Sequence, residues 1–224
     1  LSRSSQVLLY LNTSTVLFQD PLVRRAFSLA IDRDELVRRV YPGRARGSAS
    51  PIPPGTWAYA EAYDLTAPDP AQAKKLLEEA GWTANATSGI LTRQGGEFRF
   101  TIRVDNDPTR VAVAGEIARQ LERIGVRATV ASTTFSVLRR DFLQERRYEA
   151  AVATWEQGPD PDPYFGWHSS QMGSAGLNLA NFEDAVVDEL IAQGRTTSDQ
   201  EVRLDSYTQL QEVWQELTPG VVVA

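Results

Sequence analysis

The sequence contains no cysteine, and histidine and methionine occur once each among its 224 residues. The first absence excludes disulfides, thiolate nucleophiles and cysteine-based metal centres together. The lone histidine, His168, gives a Ser-His-Asp triad only one candidate base. No apolar run reaches the about 18 residues that a membrane span needs. No charged stretch leads into an apolar one, so no signal peptide is read within these residues. Positive charge is sparse too: 23 Lys and Arg stand against 29 Asp and Glu, a net charge of −6. The cations are scattered and form no basic stripe, which excludes nucleic acid as a partner. Internal repeats and low-complexity tracts are missing as well.

What remains is ordinary globular chemistry. With 42% hydrophobic and 23% charged residues, the chain can bury one sizeable core without staples. Two sequons, Asn12-Thr13-Ser14 and Asn85-Ala86-Thr87, are short enough to arise by coincidence, and they are read so.

The periodicities alternate between strand and helix. Leu8 to Leu11 opens as a short apolar strand after a polar start compatible with disorder. Asp20-Pro21 reads as an N-cap with proline at the first helical position, followed by Leu22, Val23, Ala26, Phe27, Ala30 and Ile31 at helical spacing. Asp32 and Glu35 form a capping box for a second helix, ended by Pro42 and Gly43. Residues 43 to 67 are a long Pro-, Gly- and Ser-rich excursion. Asp69-Pro70, with Gln72 at the box position, starts another helix that Gly81 closes. Residues 82 to 96 read as a surface turn or hairpin.

From Glu97 to Asp105 apolar and polar residues alternate, which is strand periodicity. Asp107-Pro108 then caps a helix carrying Val111, Ala114, Ile117, Ala118, Leu121 and Ile124, stopped by Gly125. Val126, Ala128 and Val130 give a second strand. Phe135, Leu138, Phe142 and Leu143 mark a helix, and Glu149 to Trp155 a third strand. This order reads as a parallel, right-handed βαβαβ unit. Two more helices follow, the first capped by Asn181, carrying Val186, Val187, Leu190 and Ile191 and ending at Gly194. Ser198 and Glu201 box the second, with Val202, Leu210, Val213, Trp214 and Leu217 as packing residues. Val221-Val222-Val223 finishes as an apolar strand. The charge run Glu145-Arg146-Arg147 reads as a solvated helix end.

In an open parallel sheet the ligand crevice lies beyond the carboxyl ends of the strands. Three loops meet there: Asp105-Asn106-Asp107, Ser132-Thr133-Thr134, and Trp155 through Pro163. The third sets an indole beside carboxylates and rigid proline steps, which suits a wall that stacks on a ligand while acids meet a positive group. Its alternative is a proline-stiffened turn whose aspartates cap the next helix. Asp160 and Asp162 lack the neighbours of a metal first shell or an acid/base pair, and His168 reads as a packed or surface residue.

Six stretches, in order, carry a resemblance: DPLVRRAFSLAIDRDELVRRVYPGRA, PIPPGTWAY and DPAQAKKLLEEAGW, then GPDPDPYFGWHSSQ, NLANFEDAVVDELI and RLDSYTQLQEVWQELTPG. Together the sequence resembles the family 5 solute-binding proteins, the oligopeptide-, dipeptide- and nickel-binding components of ABC importers. The resemblance implies a bilobal protein at least twice this length. Residues 1–224 would form its single C-terminal lobe, bounded by hinge strands near residues 7–11 and 220–224, with the N-terminal lobe absent. The implied fold is α/β, one lobe of a periplasmic-binding-protein-like (type II) architecture with a central mixed, mainly parallel sheet flanked by helices.

By the same resemblance the protein is not an enzyme and needs no cofactor, metal or catalytic residue. It captures an oligopeptide or similar small solute between two lobes and hands it to ABC permease subunits, outside the cytoplasm in the periplasm or on the outer membrane face, with any lipid-bearing cysteine upstream. Trp155 is the expected apolar wall, with Glu156, Gln157, Gly158 and Asp160 as the polar rim and Asn178 as a further ligand contact. Peptide binders of the family carry an aspartate three residues beyond the tryptophan, paired with the ligand's α-amine. Gly158 stands there, with Glu156 and Asp160 the nearest acids. Nickel binders use a histidine further on, to which His168 does not clearly correspond. Two other classes remain open: a ligand-sensing domain of a transcription regulator, which shares this lobe, and a hydrolase using Asp160, Asp162 and His168.

Overall fold

The computed structural model describes residues 4–64 and 67–224. Its main sheet has five strands: β1 (Ser4–Leu11), β5 (Arg99–Asp105), β6 (Arg127–Thr133), β7 (Ala150–Gln157) and β8 (Gly220–Val222). Three short strands, β2 (Thr83–Ala84), β3 (Leu91–Arg93) and β4 (Gly96–Glu97), make a separate small sheet where a turn or hairpin was expected. The helices are α1 (Pro21–Ala30), α2 (Arg33–Val40), α3 (Pro70–Glu79), α4 (Pro108–Glu122), α5 (Phe135–Val137), α6 (Tyr164–Trp167), α7 (Ala185–Thr196) and α8 (Gln200–Leu217). α5 runs directly into a π-helix over Leu138–Leu143.

The strand order is β6-β5-β7-β1-β8. β5 lies parallel to β6 and β7, whereas β1 pairs antiparallel with both β7 and β8. The parallel strands are joined by helical crossovers, because a parallel pair cannot be closed by a tight turn. The βαβαβ reading therefore holds, and the two strands nearest the chain ends give the sheet its antiparallel side. The polar residues Ser5 and Gln6 belong to β1, which extends further than the apolar run; residues 1 to 3 lie outside the described ones.

Side chains alternate across the sheet, and each face builds its own core. Leu9, Leu11, Phe100, Ile102, Val104, Val152 and Val221 face α1, α3 and α4, with Phe18, Phe27 and Phe98 filling the centre. Phe18 meets Phe27 edge-on at 5.4 Å and Phe100 at 5.2 Å. On the opposite face, Leu8, Tyr10, Ala151 and Val222 meet α6, α7 and α8 through Trp167, Leu190, Tyr207, Leu210 and Trp214. Trp167 stacks on Tyr10 at 5.8 Å and meets Trp214 edge-on at 4.5 Å.

Four N-caps are the aspartates that precede prolines or helix starts. Asp20, Asp32, Asp69 and Asp107 accept from Leu22 N, Glu35 N, Gln72 N and both Thr109 and Arg110 N. Two expectations need correction. α7 is capped by Asp184 rather than Asn181, and α8 by Asp199 rather than Ser198. In both cases the aspartate one to three residues later is the residue directly before the first helical turn, where one carboxylate oxygen accepts from two amides. Asn181 instead takes a left-handed φ of 54°. Gly194 lies inside α7, where it makes room for the Tyr207 ring. Val186 and Val202 point to solvent, 56% and 47% exposed, so they are not packing residues. Glu35 does not close the box at Asp32; the amide of Asp32 donates to Gln120 Oε1 at 2.7 Å, and Glu35 pairs with Arg119 and Arg123.

Two arginines are buried without a carboxylate in hydrogen-bonding contact among the described residues. Arg24 donates to the carbonyls of Phe18, Gln19, Leu217 and Thr218, and Arg33 to those of Ser28, Ser48 and Val222. Burial lowers each guanidinium to about 10, so both stay charged at neutral pH. They tie α1, α2 and the excursion to the end of α8 and to β8. The excursion is itself pinned by Asp64, which accepts from the amides of Ala49 and Ser50 and the hydroxyls of Ser48 and Tyr59. Burial opposes ionisation of Asp64, but these donors outweigh it and hold its carboxyl below the usual range.

Gly220 opens β8 under Trp167: a Cβ there would stand 2.9 Å from Cη2 of a ring already held by Tyr10 and Trp214. Gly220→Ala is expected to cost about 1–3 kcal/mol through overpacking, read as a lower urea midpoint with an unchanged m-value. Asp64→Asn should cost about 2 kcal/mol near neutral pH by weakening charge-assisted hydrogen bonds. Because the folded pKa lies below the unfolded one, this contribution is present above about pH 4 and lost as pH falls through the folded value. Urea midpoints of wild type and variant should therefore converge in acid; a gap independent of pH would contradict the role given to the carboxylate.

Candidate functional site

β7 delivers Trp155 to the face of the sheet that carries Tyr10, opposite Gln6 of β1 in the pairing register. The indole packs against α6 at Gly166, where a Cβ would stand 3.4 Å from Cζ2. Beside it opens a cavity of about 230 Å³. Its floor is Tyr10, Ala153 and Trp155; one wall is Phe135, Arg139, Leu143 and Gln144; the other is the segment 174–177 with Leu179. Most of this lining is apolar, which is the composition of a small-molecule site. Phe135 and Leu177, at its rim, are 60% and 47% exposed.

The second wall is held by a residue expected to be merely solvated. Arg146, in a left-handed conformation with φ 53°, donates to the carbonyls of Leu143, Gly173 and Gly176. It thereby fastens the 173–176 segment to the end of the π-helix, and the charge run is a clamp rather than a solvated end. Asn12 supports the same corner, its amide donating to the carbonyls of Arg146 at 3.0 Å and Tyr148 at 2.8 Å. Being 2% exposed, Asn12 offers no accessible sequon.

The six residues expected at the site are placed differently from one another. Trp155 lines the cavity. Glu156 is exposed and, by strand alternation, points to the other face. Gln157 is buried, its amide nitrogen donating to Pro51 O at 3.4 Å and its Oε1 unmatched. Gly158 is exposed, with open space where a side chain would project. Asp160 is gripped by Arg203 at 2.7 and 2.9 Å. Asn178 is fully buried, and its amide is occupied by the carbonyls of Trp167, His168 and Phe182 and the amide of Phe182.

The remaining candidates are anchors of the same loop. Asp162 accepts from Tyr164 N, the first residue of α6, at 3.0 Å and pairs with Arg195 at 3.0 Å. Arg195 in turn lies 3.9 Å over the Tyr164 ring. Asp162 thus bonds the first amide of α6 from one residue outside its N-cap, Pro163, in a proline-stiffened turn. His168 Nδ1 accepts from Ser170 N, with Asp188 3.7 Å away. Asp160, Asp162 and His168 therefore serve three different partners. No group of three metal-capable side chains exists among the described residues. Of the other two loops, Asp105 is taken by Arg110 at 2.6 and 2.8 Å and Asp107 by the start of α4.

Sequence reasoning missed Tyr10, Phe135, Arg139 and Leu177 as cavity residues. Phe135 and Arg139 stand four apart, the spacing of neighbours on one helical face, and that was the available signal. Residues 172–177 carried none, because their position depends on Arg146 across the corner.

The chain matches the family described as bacterial extracellular solute-binding proteins, family 5 (middle), over residues 2–176. It is 30% identical over 203 residues to the oligopeptide-binding protein AppA of Bacillus subtilis, covering 89% of this chain and 37% of that protein. The fold superposes on the structure of AppA from B. subtilis in complex with a nonapeptide with a TM-score of 0.89 at 28% identity, covering 99% of this chain and 45% of that one. It also superposes on NikZ from Campylobacter jejuni in complex with Ni(L-His), with a TM-score of 0.90 at 25% identity, covering 98% and 44%. The chain thus spans well under half the length of these relatives. Over that span it belongs to family 5 of the bacterial extracellular solute-binding proteins.

Proposed function

We propose that this chain is the C-terminal lobe of an ABC importer's solute-binding protein, capturing an oligopeptide or similar small solute between two lobes outside the cytoplasm. The carrying observation is the cavity against Trp155, whose rim leaves Phe135 and Leu177 exposed. Exposed apolar side chains around a concavity fit a surface that closure covers. The hinge strands expected near residues 7–11 and 220–224 lie side by side: Leu8 pairs with Val222, and Val7 exchanges backbone hydrogen bonds with Val223 and Ala224. Two adjacent strands of this kind suit a paired crossing to a second lobe, a hinge whose closure is stabilised by a solute touching both sides.

Within this reading Trp155 is the stacking wall and Gly158, with open space above it, lies on the solute side of the loop, while Glu156 projects from the other face of β7. Gln157, Asp160 and Asn178 hold the loop in place, through Pro51, Arg203 and the backbone around Trp167. Peptide is favoured as the solute by the likeness to AppA. The relatives quoted are binding proteins by name, which supports neither a regulator nor a hydrolase.

Mass spectrometry of small molecules released from the purified full-length protein tests the reading. A series of short peptides is the expected result. A single non-peptide compound would keep the binding role and replace the solute. No released compound, together with no heat in titrations against peptide mixtures, would overturn the proposal. For the solute found, Trp155→Ala should weaken binding about tenfold or more, as loss of a buried aromatic anchor does.

A further inference from the structure

Resting on that reading, the cavity also indicates what kind of solute end it takes. Its lining carries a single formal charge, and that charge is positive: Arg139. This contrasts with the whole chain, which is acidic by six charges. Arg139 makes no ion pair or side-chain hydrogen bond among the described residues. The one acid between residues 135 and 144, Asp141, is engaged by its other neighbour, Arg140, at 2.5 and 2.8 Å. Arg146, the next arginine along, is spent on three carbonyls. Arg139 is thus left with its donors unspent at the edge of an apolar cavity.

The backbone around it is unusual in a way that fits. Arg139 sits in the π-helix, a rare geometry concentrated at functional sites. Leu138 and Leu143 anchor that segment in the interior at 2% and 6% exposure, while Arg139 and Phe135 stay exposed. A guanidinium beside apolar surface is suited to a carboxylate, which it can meet bidentately where water is partly excluded. The acids earlier weighed for a solute amine do not face this cavity: Asp160 is held by Arg203, and Glu156 lies on the other side of its strand.

We infer that the Trp155 cavity binds an apolar or aromatic group carrying a carboxylate, with Arg139 as the specificity-determining partner of the anion. Such a group can be the C-terminal residue of a peptide or a free hydrophobic acid; the chemistry at Arg139 is the same.

The test uses calorimetry on the full-length protein with three probes: a dipeptide ending in phenylalanine as the free acid, the same dipeptide as its C-terminal amide, and 3-phenylpropionate. The free-acid dipeptide should bind about tenfold more tightly than the amide, the size expected of one charge-assisted contact. Arg139→Gln should remove that preference by costing the free acid about tenfold more affinity than the amide, a pattern that a folding defect would not give. Binding of 3-phenylpropionate at an affinity close to the dipeptide's would identify free acids as the source, and its failure beside dipeptide binding would identify peptide termini. Equal affinity for acid and amide, or equal loss of both in Arg139→Gln, overturns the inference. In those cases released solutes in the mass spectra would leave the importer reading standing, so the two failures are distinguishable.

Discussion

Everything in this fold is referred to β1. It lies between β7 and β8, antiparallel to both, and divides two cores that share no side chain. Leu9 and Leu11 belong to the phenylalanine-rich core under α1, α3 and α4, whereas Leu8 and Tyr10 belong to the tryptophan-rich core under α6 to α8. A shift of one residue in register would exchange the two sets. It would also carry Tyr10 away from Trp167 and from the cavity floor. Register is thus fixed twice, by Leu9 and Leu11 on one side and Leu8 and Tyr10 on the other. The wall at Trp155 inherits that precision through its pairing with Gln6.

The buried cations extend the same constraint to the rest of the chain. Moving a guanidinium out of water costs several kcal/mol unless its donors are met. Arg24 and Arg33 are met by backbone carbonyls, which belong to segments far apart in sequence: residues 18–19, 28, 48, 217–218 and 222. Carbonyls cannot leave without stranding the charge, so these arginines hold irregular backbone as firmly as a strand holds its neighbour. That is how an excursion rich in Pro, Gly and Ser, with little regular structure of its own, comes to lie fixed against Gln6 and Gln157 through Ser50 and Pro51.

Legibility in the sequence followed the range of the interactions involved. The strand order within βαβαβ, the aspartate-proline helix starts and the alternation from Glu97 to Asp105 depend on neighbours within a few residues, and they were readable. The caps of α7 and α8 were misplaced by one to three residues, because several polar residues compete there and only geometry decides which reaches two amides. Gly194 looked like a helix stop, yet its small size serves Tyr207 on the next helix. The loop after Trp155 stood out by composition, but its acids are directed by Arg195 and Arg203, roughly 30 to 40 residues later. No periodicity announces a partner at that distance.

The same logic explains why charge, rather than shape, separates the cavity from the loop beside it. The Pro159–Pro163 turn contributes two carboxylates, and both are neutralised by arginines of α7 and α8 on the outside of the second core. Those pairs are partly exposed, and such contacts contribute little to stability. Their consequence is electrostatic instead: Asp160 and Asp162 are each paired before they can set the potential at Trp155. On the other wall, Asp141 pairs with Arg140 and the carbonyls of the 173–176 segment with Arg146. None of these three carboxylates lines the cavity, whose single charged residue is Arg139. In an apolar, partly closed concavity an uncompensated charge acts over a longer range than on an open surface, which is the physical reason the proposed carboxylate preference is attached to Arg139.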